Sequence, residues 1–376
     1  MILYTVRRGD TLYQIARRYG VSADALAAAN QLQNPAVLSV GQALVIPGAG
    51  QSAPTGRSVI VNGYITDTTA ETLSETLPGL TFLSPFSYRT DADGTLTPTF
   101  SVPKANGAYG AADLLTVTNL KPSGGFSGDI AHAILTQEGP QNAFVENVAA
   151  LLRSGSWYGV NLDFEYVYQF DRESYNQFLR RFAALLHSLG ALLITALAPK
   201  QSAAQNGLLY TAHDYASHGM IADYVVLMTY EWGYTYGPPM AVAPIDQVRR
   251  VLDYAVSVMP ADKILLGVPN YGYDWILPFQ QGTAAKPLTN TVAVTLAGTV
   301  GAEIRFSESA QSPYFRFVDS EGRRHEVWFE DARSLRTKFL LVGEYGLAGV
   351  SFWNLNRLFR TDFLVLESLY GVEKVL

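Results

Sequence analysis

From residue 58 onward, short apolar runs of strand character alternate with longer segments, many of which repeat their apolar residues at helical spacing. Eight such runs can be counted, at residues 58–64, 80–88, 131–136, 159–164, 192–198, 224–230, 264–269 and 347–353. The clearest helix lies between the fourth and fifth. There Tyr175, Phe178, Leu179, Phe182, Leu185, Leu186 and Leu189 step by three, one, three, three, one and three, which lines one buried face. Between the sixth and seventh, Pro244 sits in the first turn of a helix faced by Ile245, Val248, Leu252, Ala255, Val256 and Met259. Strand and helix in alternation are the sequence form of βα units around a parallel sheet. Eight units in about 320 residues predict an α/β chain folded as a (β/α)8 TIM barrel. A doubly wound open sheet is the runner-up, but no glycine-rich phosphate loop follows an early strand.

Two stretches break the rhythm. Over residues 273–327, the segments 291–296 and 314–318 alternate like antiparallel strands, and Asp319-Ser320-Glu321-Gly322 reads as a hairpin turn. This predicts a small α+β insertion after strand seven, walling one side of the barrel mouth. The other stretch is residues 1–48. Tyr4-Thr5-Val6 alternates like a strand, and Gly9-Asp10-Thr11 is a turn in which Asp10 or Thr11 can cap a helix over 12–19. Gly20 ends that helix, Ser22 caps a second one through Asn30, and residues 43–47 form another strand. The order is βααβ. Residues 49–56 are small and uncharged, rich in Gly, Ser and Pro, and read as a linker to a barrel over 57–376.

With 48% hydrophobic and 16% charged residues over 376 positions, the chain can bury at least one large core. It has no cysteine, which excludes disulfides, thiolate nucleophiles and Cys-built zinc sites. The five histidines never take the H-E-x-x-H form, so neither a metal nor another cofactor is expected. A net charge of -6 argues against nucleic acid or an anionic membrane as partner. The first fifty residues hold Arg7, Arg8, Arg17 and Arg18 against Asp10 and Asp24, opposite in sign to the rest of the chain. No basic stretch precedes an apolar one at the N-terminus, so no signal peptide is expected. Oligomeric state is left open.

Barrels of this kind place their chemistry at the carboxyl ends of the strands. Those ends hold Tyr64, Gln137-Glu138, Asp163 and Glu165, Met228-Thr229-Tyr230-Glu231-Trp232, Asn270-Tyr271, and Trp353-Asn354. The most informative is the fourth, Gly159-Val160-Asn161-Leu162-Asp163-Phe164-Glu165-Tyr166. Residues i and i+2 of a strand share a face, so Asp163 and Glu165 project side by side. Like charges held close raise the pKa of one carboxyl, which then carries a proton it can deliver to a leaving group. An isolated D-x-E is more often a solvated edge. Carboxylates ringed by Tyr and Trp suit a sugar, whose C–H faces stack on rings while its hydroxyls take directed hydrogen bonds.

Two family resemblances follow. Tyr4-Thr5-Val6-Arg7-Arg8-Gly9-Asp10-Thr11-Leu12, Ile15-Ala16, Asn30 and the run from Leu38 to Pro47 resemble the LysM family. The resemblance implies binding of glycans containing N-acetylglucosamine, such as peptidoglycan or chitin, by two loops that here carry Asp10, Thr11, Leu12 and Asn34, Pro35, Ala36. Leu12 and Thr11 have equal claim to be core and cap. The segment from Tyr158 to Glu165 aligns with the D-G-x-D-x-D-x-E signature of glycoside hydrolase family 18, and Met228-Thr229-Tyr230-Glu231 with its M-x-Y-D. This resemblance implies substrate-assisted catalysis. Glu165 would be the acid, Asp163 would hold the acetamide nitrogen and Tyr230 the acetamide oxygen of the substrate, and Trp353 would floor the reacting sugar. Glu231, Asn161, Tyr64, Met228, Asn270 and Tyr271 would complete the substrate site.

Tyr158 and Asn161 stand where chitinases carry aspartates, which puts plain chitin in doubt. Because Asn161 cannot ionise, the pKa of Asp163 is expected to fall relative to such an enzyme. With the LysM segment, Asn-Leu-Asp-Phe-Glu-Tyr-Val and Met-Thr-Tyr-Glu-Trp-Gly-Tyr-Thr-Tyr-Gly-Pro-Pro resemble the spore-germination, cortex-lytic branch of the family. That branch implies an N-acetylglucosaminidase acting on cortex peptidoglycan, deposited in the spore coat from the mother cell. A chitinase and a non-catalytic glycan-binding coat protein are the alternatives.

Overall fold

The computed structural model describes residues 1–48, 56–101 and 103–376, so most of the predicted linker lies outside the described residues. The chain opens with β1 (Ile2–Thr5), α1 (Leu12–Tyr19), α2 (Ala23–Ala29) and β2 (Ala43–Ile46). β1 and β2 pair antiparallel, and Val6, Leu12, Ile15, Leu26, Leu44 and Ile46 fill a small core of their own. Thr11 Oγ1 accepts from Gln14 N–H and Ser22 Oγ from Ala25 N–H, satisfying helix donors that would otherwise be open.

The barrel follows in chain order. It comprises β3 (Ser58–Ile65), α3 (Ala70–Thr76), β4 (Phe82–Pro85), a short hairpin of β5 (Tyr88–Thr90) and β6 (Leu96–Pro98), β7 (Ala112–Thr118), α4 (Gly128–Thr136) and α5 (Glu138–Ser154). Then come β8 (Gly159–Asp163), α6 (Arg172–Ser188), β9 (Leu192–Leu197), α7 (Tyr215–Ile221), β10 (Tyr224–Leu227), α8 (Ile245–Val258) and β11 (Ile264–Pro269). An inserted unit follows, with β12 (Gly272–Leu277), β13 (Lys286–Leu288), α9 (Asn290–Thr299), β14 (Arg305–Ser307), β15 (Ser312–Val318) and β16 (Arg324–Trp328). The chain closes with α10 (Ala332–Glu344), β17 (Gly349–Trp353), α11 (Arg360–Glu367) and β18 (Gly371–Val372). Strands β3, β4, β7, β8, β9, β10, β11 and β17 pair in parallel, each with the next, and β17 returns to β3, closing an eight-stranded barrel. Buried side chains of α6, among them Phe178, Leu179, Phe182 and Leu186, cover the sheet as the spacing predicted.

Three sequence expectations are corrected. Residues 131–136 form the second half of α4, capped by Ser127, and the third barrel strand is β7. Ala131, Ile134 and Leu135 step by three and one, which suits a helix as well as a short strand. Gln137 and Glu138 consequently mark the junction of α4 and α5, not a strand end. In the insertion, residues 291–296 lie in α9 despite four β-branched residues. Thr289 caps that helix at Val292 N–H, and Ala293 and Ala297, four apart, are the apolar positions it buries. The other predicted strand is present as β15, joined to β16 through Asp319 and Gly322, in a five-stranded antiparallel sheet.

The N-terminal unit packs against both the insertion and the segment after β17. Gln31 Nε2 donates to Leu358 O at 3.1 Å while its Oε1 accepts from Arg360 N–H at 2.7 Å. Ile304 N–H donates to Val40 O at 2.8 Å. Gly41 makes this approach possible, since a Cβ there would lie 1.8 Å from Ile304 O. No helix among the described residues is long and apolar enough to cross a membrane.

Candidate active site

A cavity of about 370 Å³ opens at the carboxyl ends of the strands, lined by Tyr64, Asp163, Glu165, Met228, Tyr230, Glu231 and Trp353 together with Phe86, Phe100 and Phe126. β8 ends at Asp163, and Glu165 two residues on faces the same space. Phe164, between them, turns the other way into the core against Phe144 and Tyr175. The alternation read from the sequence thus persists beyond the last paired residue.

Two side chains not singled out in the sequence fix the backbone here. Glu165 N–H donates to Asn119 Oδ1 at 3.0 Å, and Asn119 Nδ2 donates to Glu165 O at 2.7 Å and to Ser127 O at 2.9 Å. His213 Nδ1 accepts from Ala198 N–H, so its proton is on Nε2, which donates to Phe164 O at 3.0 Å. Burial pushes the His213 imidazole down to about 4, so that neutral tautomer persists. Asn119 sits immediately after β7, and with the true third strand identified its position at a carboxyl end would have marked it.

Burial pushes the Glu165 carboxyl well above the usual carboxylate range, and the charges of Asp163 and Glu231 push it the same way. Burial raises Asp163, only 4% exposed, to about 7. Asn161 brings no charge, yet desolvation by itself suffices to lift Asp163. Asp163 Oδ1 is buried and has no hydrogen-bond partner among the described residues. Burial also raises Glu231, against which the hydroxyls of Tyr271 and Tyr273 donate to its Oε1. Glu231 adopts a φ of 67°, the left-handed region that non-glycine residues enter at a cost. The Tyr230 ring packs over Gly267, where a Cβ would come within 2.9 Å of its Cε1. Trp353 meets Tyr64 and Phe86 edge-on with ring centroids 5.5 and 5.4 Å apart, and its peptide bond to Asn354 is cis.

Asn161 does not reach the cavity. It is fully buried, its Oδ1 accepts from Tyr64 OH at 3.0 Å, and its Nδ2 donates to Ser84 Oγ at 3.0 Å. Ser84 Oγ donates to Asn62 Oδ1, whose Nδ2 donates to Ser351 Oγ, so a neutral network ties β3, β4, β8 and β17 behind the site. Asn161 is therefore a support for Tyr64 and not a substrate contact. Asn270 and Tyr271 line a second cavity of about 390 Å³ that shares Glu231 and Trp353 with the first. The Asn270 amide is engaged with Asn354 O and Arg357 O, which holds the loop after Trp353.

In the N-terminal unit, Asp10 accepts from Tyr4 OH and Arg7 N–H, Thr11 caps α1, and Leu12 is core. Asn34 lines a third cavity and its Oδ1 accepts from Ala36 N–H, while Pro35 and Ala36 are exposed. Among the described residues, no group of three or more His, Cys, Asp and Glu side chains is placed to hold a metal ion. A proton-bearing carboxyl, a neighbouring carboxylate with a free acceptor and an aromatic floor can together protonate a leaving oxygen while holding an N–H group of the substrate.

The family Glycosyl hydrolases family 18 matches residues 123–357, and the LysM domain family matches residues 4–47. The chain is 40% identical to the cortical fragment-lytic enzyme of Bacillus subtilis (strain 168), over all of this chain and 99% of that one. The crystal structure of the Bacillus cereus spore cortex-lytic enzyme SleL superposes with a TM-score of 0.91 at 36% identity, covering 99% of this chain and 98% of that one. A chitinase from Chromobacterium violaceum superposes with a TM-score of 0.76 at 29% identity, over 83% and 98% of the two chains.

Proposed function

The chain belongs to glycosyl hydrolases family 18 and carries a LysM domain, and from that premise we propose that it cleaves the bond following N-acetylglucosamine in spore-cortex peptidoglycan or its fragments. The observation that carries the mechanism is the pairing of Glu165, whose carboxyl is held well above the usual carboxylate range by burial, with an Asp163 whose Oδ1 has no partner among the described residues, in a cavity floored by Trp353. Glu165 gives its proton to the glycosidic oxygen. The carbonyl oxygen of the substrate's own 2-acetamido group bonds to the anomeric carbon as the bond to the leaving sugar breaks, forming an oxazolinium ion. Asp163 Oδ1 accepts the acetamide N–H and so aims that carbonyl, and the Tyr230 hydroxyl donates to its oxygen. Glu165, now a carboxylate, takes a proton from the water that adds to the anomeric carbon as the bond from that carbon to the acetamide oxygen breaks, which restores the acetamide and retains the configuration.

The names of the full-length relatives support cortex fragments as substrate, and the LysM domain supports glycan anchoring. Placement in the spore coat or cortex, by deposition from the mother cell, goes with that reading. The test is release of reducing ends from cortex fragments by the intact protein and by Glu165→Gln. A loss of at least about a thousandfold is expected for the removal of the acid. Full activity in the variant would overturn the assignment. The similarity to a chitinase keeps chitooligosaccharides as a second substrate, separated by comparing the two glycans at equal chain length.

A further inference from the structure

Three cavities follow one another along the molecule. The first and second share Glu231 and Trp353. Thr289 and Arg357 line the second, and two residues further along the same two segments, Thr291 and Phe359 line the third, of about 310 Å³. One wall of the third cavity is the LysM segment, with Gln33, Asn34 and Gln42, and the other is α9, with Thr295 and Thr299. The Ile304 to Val40 hydrogen bond ties the LysM segment to the stretch after α9, and the Gln31 bridge to Leu358 and Arg360 ties it to the segment that carries Phe359.

The lining of the third cavity has no charged side chain; it offers amides and hydroxyls between the apolar patches of Leu32, Val37 and Val294. Thr295 and Thr299 donate to helix carbonyls and keep their oxygens as acceptors, while Asn34 Nδ2 has no partner among the described residues. Neutral donors and acceptors over apolar surface match a sugar chain, which presents hydroxyls at its rim and C–H groups on its faces.

We propose that the three cavities form one glycan track, in which the LysM segment and α9 together grip a distal stretch of the same strand whose N-acetylglucosamine unit rests on Trp353. This rests on the hydrolase reading above. Glu165, which protonates the bond on the reducing side of that unit, lines the first cavity but not the second, so the track leads towards the non-reducing end. The LysM segment then acts on the strand being cut, and each added sugar that reaches the third cavity binds at high local concentration.

The experiment measures the affinity of Glu165→Gln for a ladder of N-acetylglucosamine oligomers, from disaccharide to octasaccharide. It is repeated with Thr295→Arg or Gln33→Arg added, both at exposed positions on opposite walls, after equal thermal stability has been verified. Affinity is expected to step up once the chain reaches the third cavity. Either arginine is expected to lower the ratio of longest-chain to shortest-chain affinity about tenfold, the size of one or two lost hydrogen bonds. A ratio unchanged by both arginines, or affinity flat with length, overturns the track. Failure of the intact protein to release reducing ends from cortex fragments would instead count against the hydrolase reading, so the two failures are distinguishable.

Discussion

Replacing Asp163 by asparagine tests the electrostatic coupling on which the acid depends. Glu165 is raised first by burial, next by the charge of Asp163 and then by that of Glu231. Two residues along an extended chain separate the carboxyls by about 6.6 Å. At an effective dielectric of about 20, two unit charges at that distance repel by about 2.5 kcal/mol, close to two pH units. The acid works only while it holds its proton, so the alkaline limb of kcat/KM reports the loss of that proton. Removing the Asp163 charge lowers the Glu165 pKa, and the alkaline limb is expected to move to lower pH by about one to two units. The acidic limb near 7, where Asp163 takes up a proton and ceases to be a charged acceptor, is expected to disappear. Both limbs belong to the pair and not to either residue singly. The optimum rate should also fall about a hundredfold with loss of the carboxylate that holds the acetamide. The assay is kcat/KM against pH with a soluble N-acetylglucosamine oligomer. An alkaline limb that stays in place, or moves up, refutes the coupling.

Further outcomes follow from the positioning residues and the core. Asn119→Ala removes both hydrogen bonds to the Glu165 backbone and is expected to lower kcat about tenfold to a hundredfold with little change in KM; equal falls in thermal stability and no kinetic effect would make Asn119 merely structural. Gly267→Ala puts a Cβ 2.3 Å from Leu227 O and against Tyr230, so loss of folded protein in a denaturant titration, or of turnover if it folds, is expected. Lys338→Met leaves Glu330 buried without its 2.8 Å partner and should cost about 3 to 5 kcal/mol in the same titration, whereas a loss below about 1 kcal/mol would show the pair to be dispensable.

The strand that carries Asp163 is legible because its chemistry and its pattern coincide. Gly159 to Glu165 is an apolar run whose two acids share a face, and the Tyr and Trp at the other strand ends favour a site over a solvated edge. Residues 131–136 misled because six apolar-rich positions satisfy either period, whereas β7 hides behind Asp113, Thr116 and Thr118, polar residues that are buried in the barrel. That one exchange also concealed Asn119. The alternation of residues 291–296 suits a strand, but a threonine cap and two alanines packed into the insertion core make the segment a helix. The role of Asn161 was invisible for another reason. Which way an interior amide points depends on Tyr64 and Ser84, residues that lie far away in the chain and meet it only when the barrel closes. The docking of the LysM segment is likewise a matter of pairs such as Gln31 with Arg360 that no periodicity announces.

The identity of the sugar at the new reducing end tests the proposed function most directly. Cortex glycan digested with the protein is treated with borohydride, and the reduced sugar is identified after acid hydrolysis. A site that uses the acetamide of the unit on Trp353, with Asp163 holding its N–H, should yield the alditol of glucosamine. The alditol of muramic acid as the principal product would contradict it.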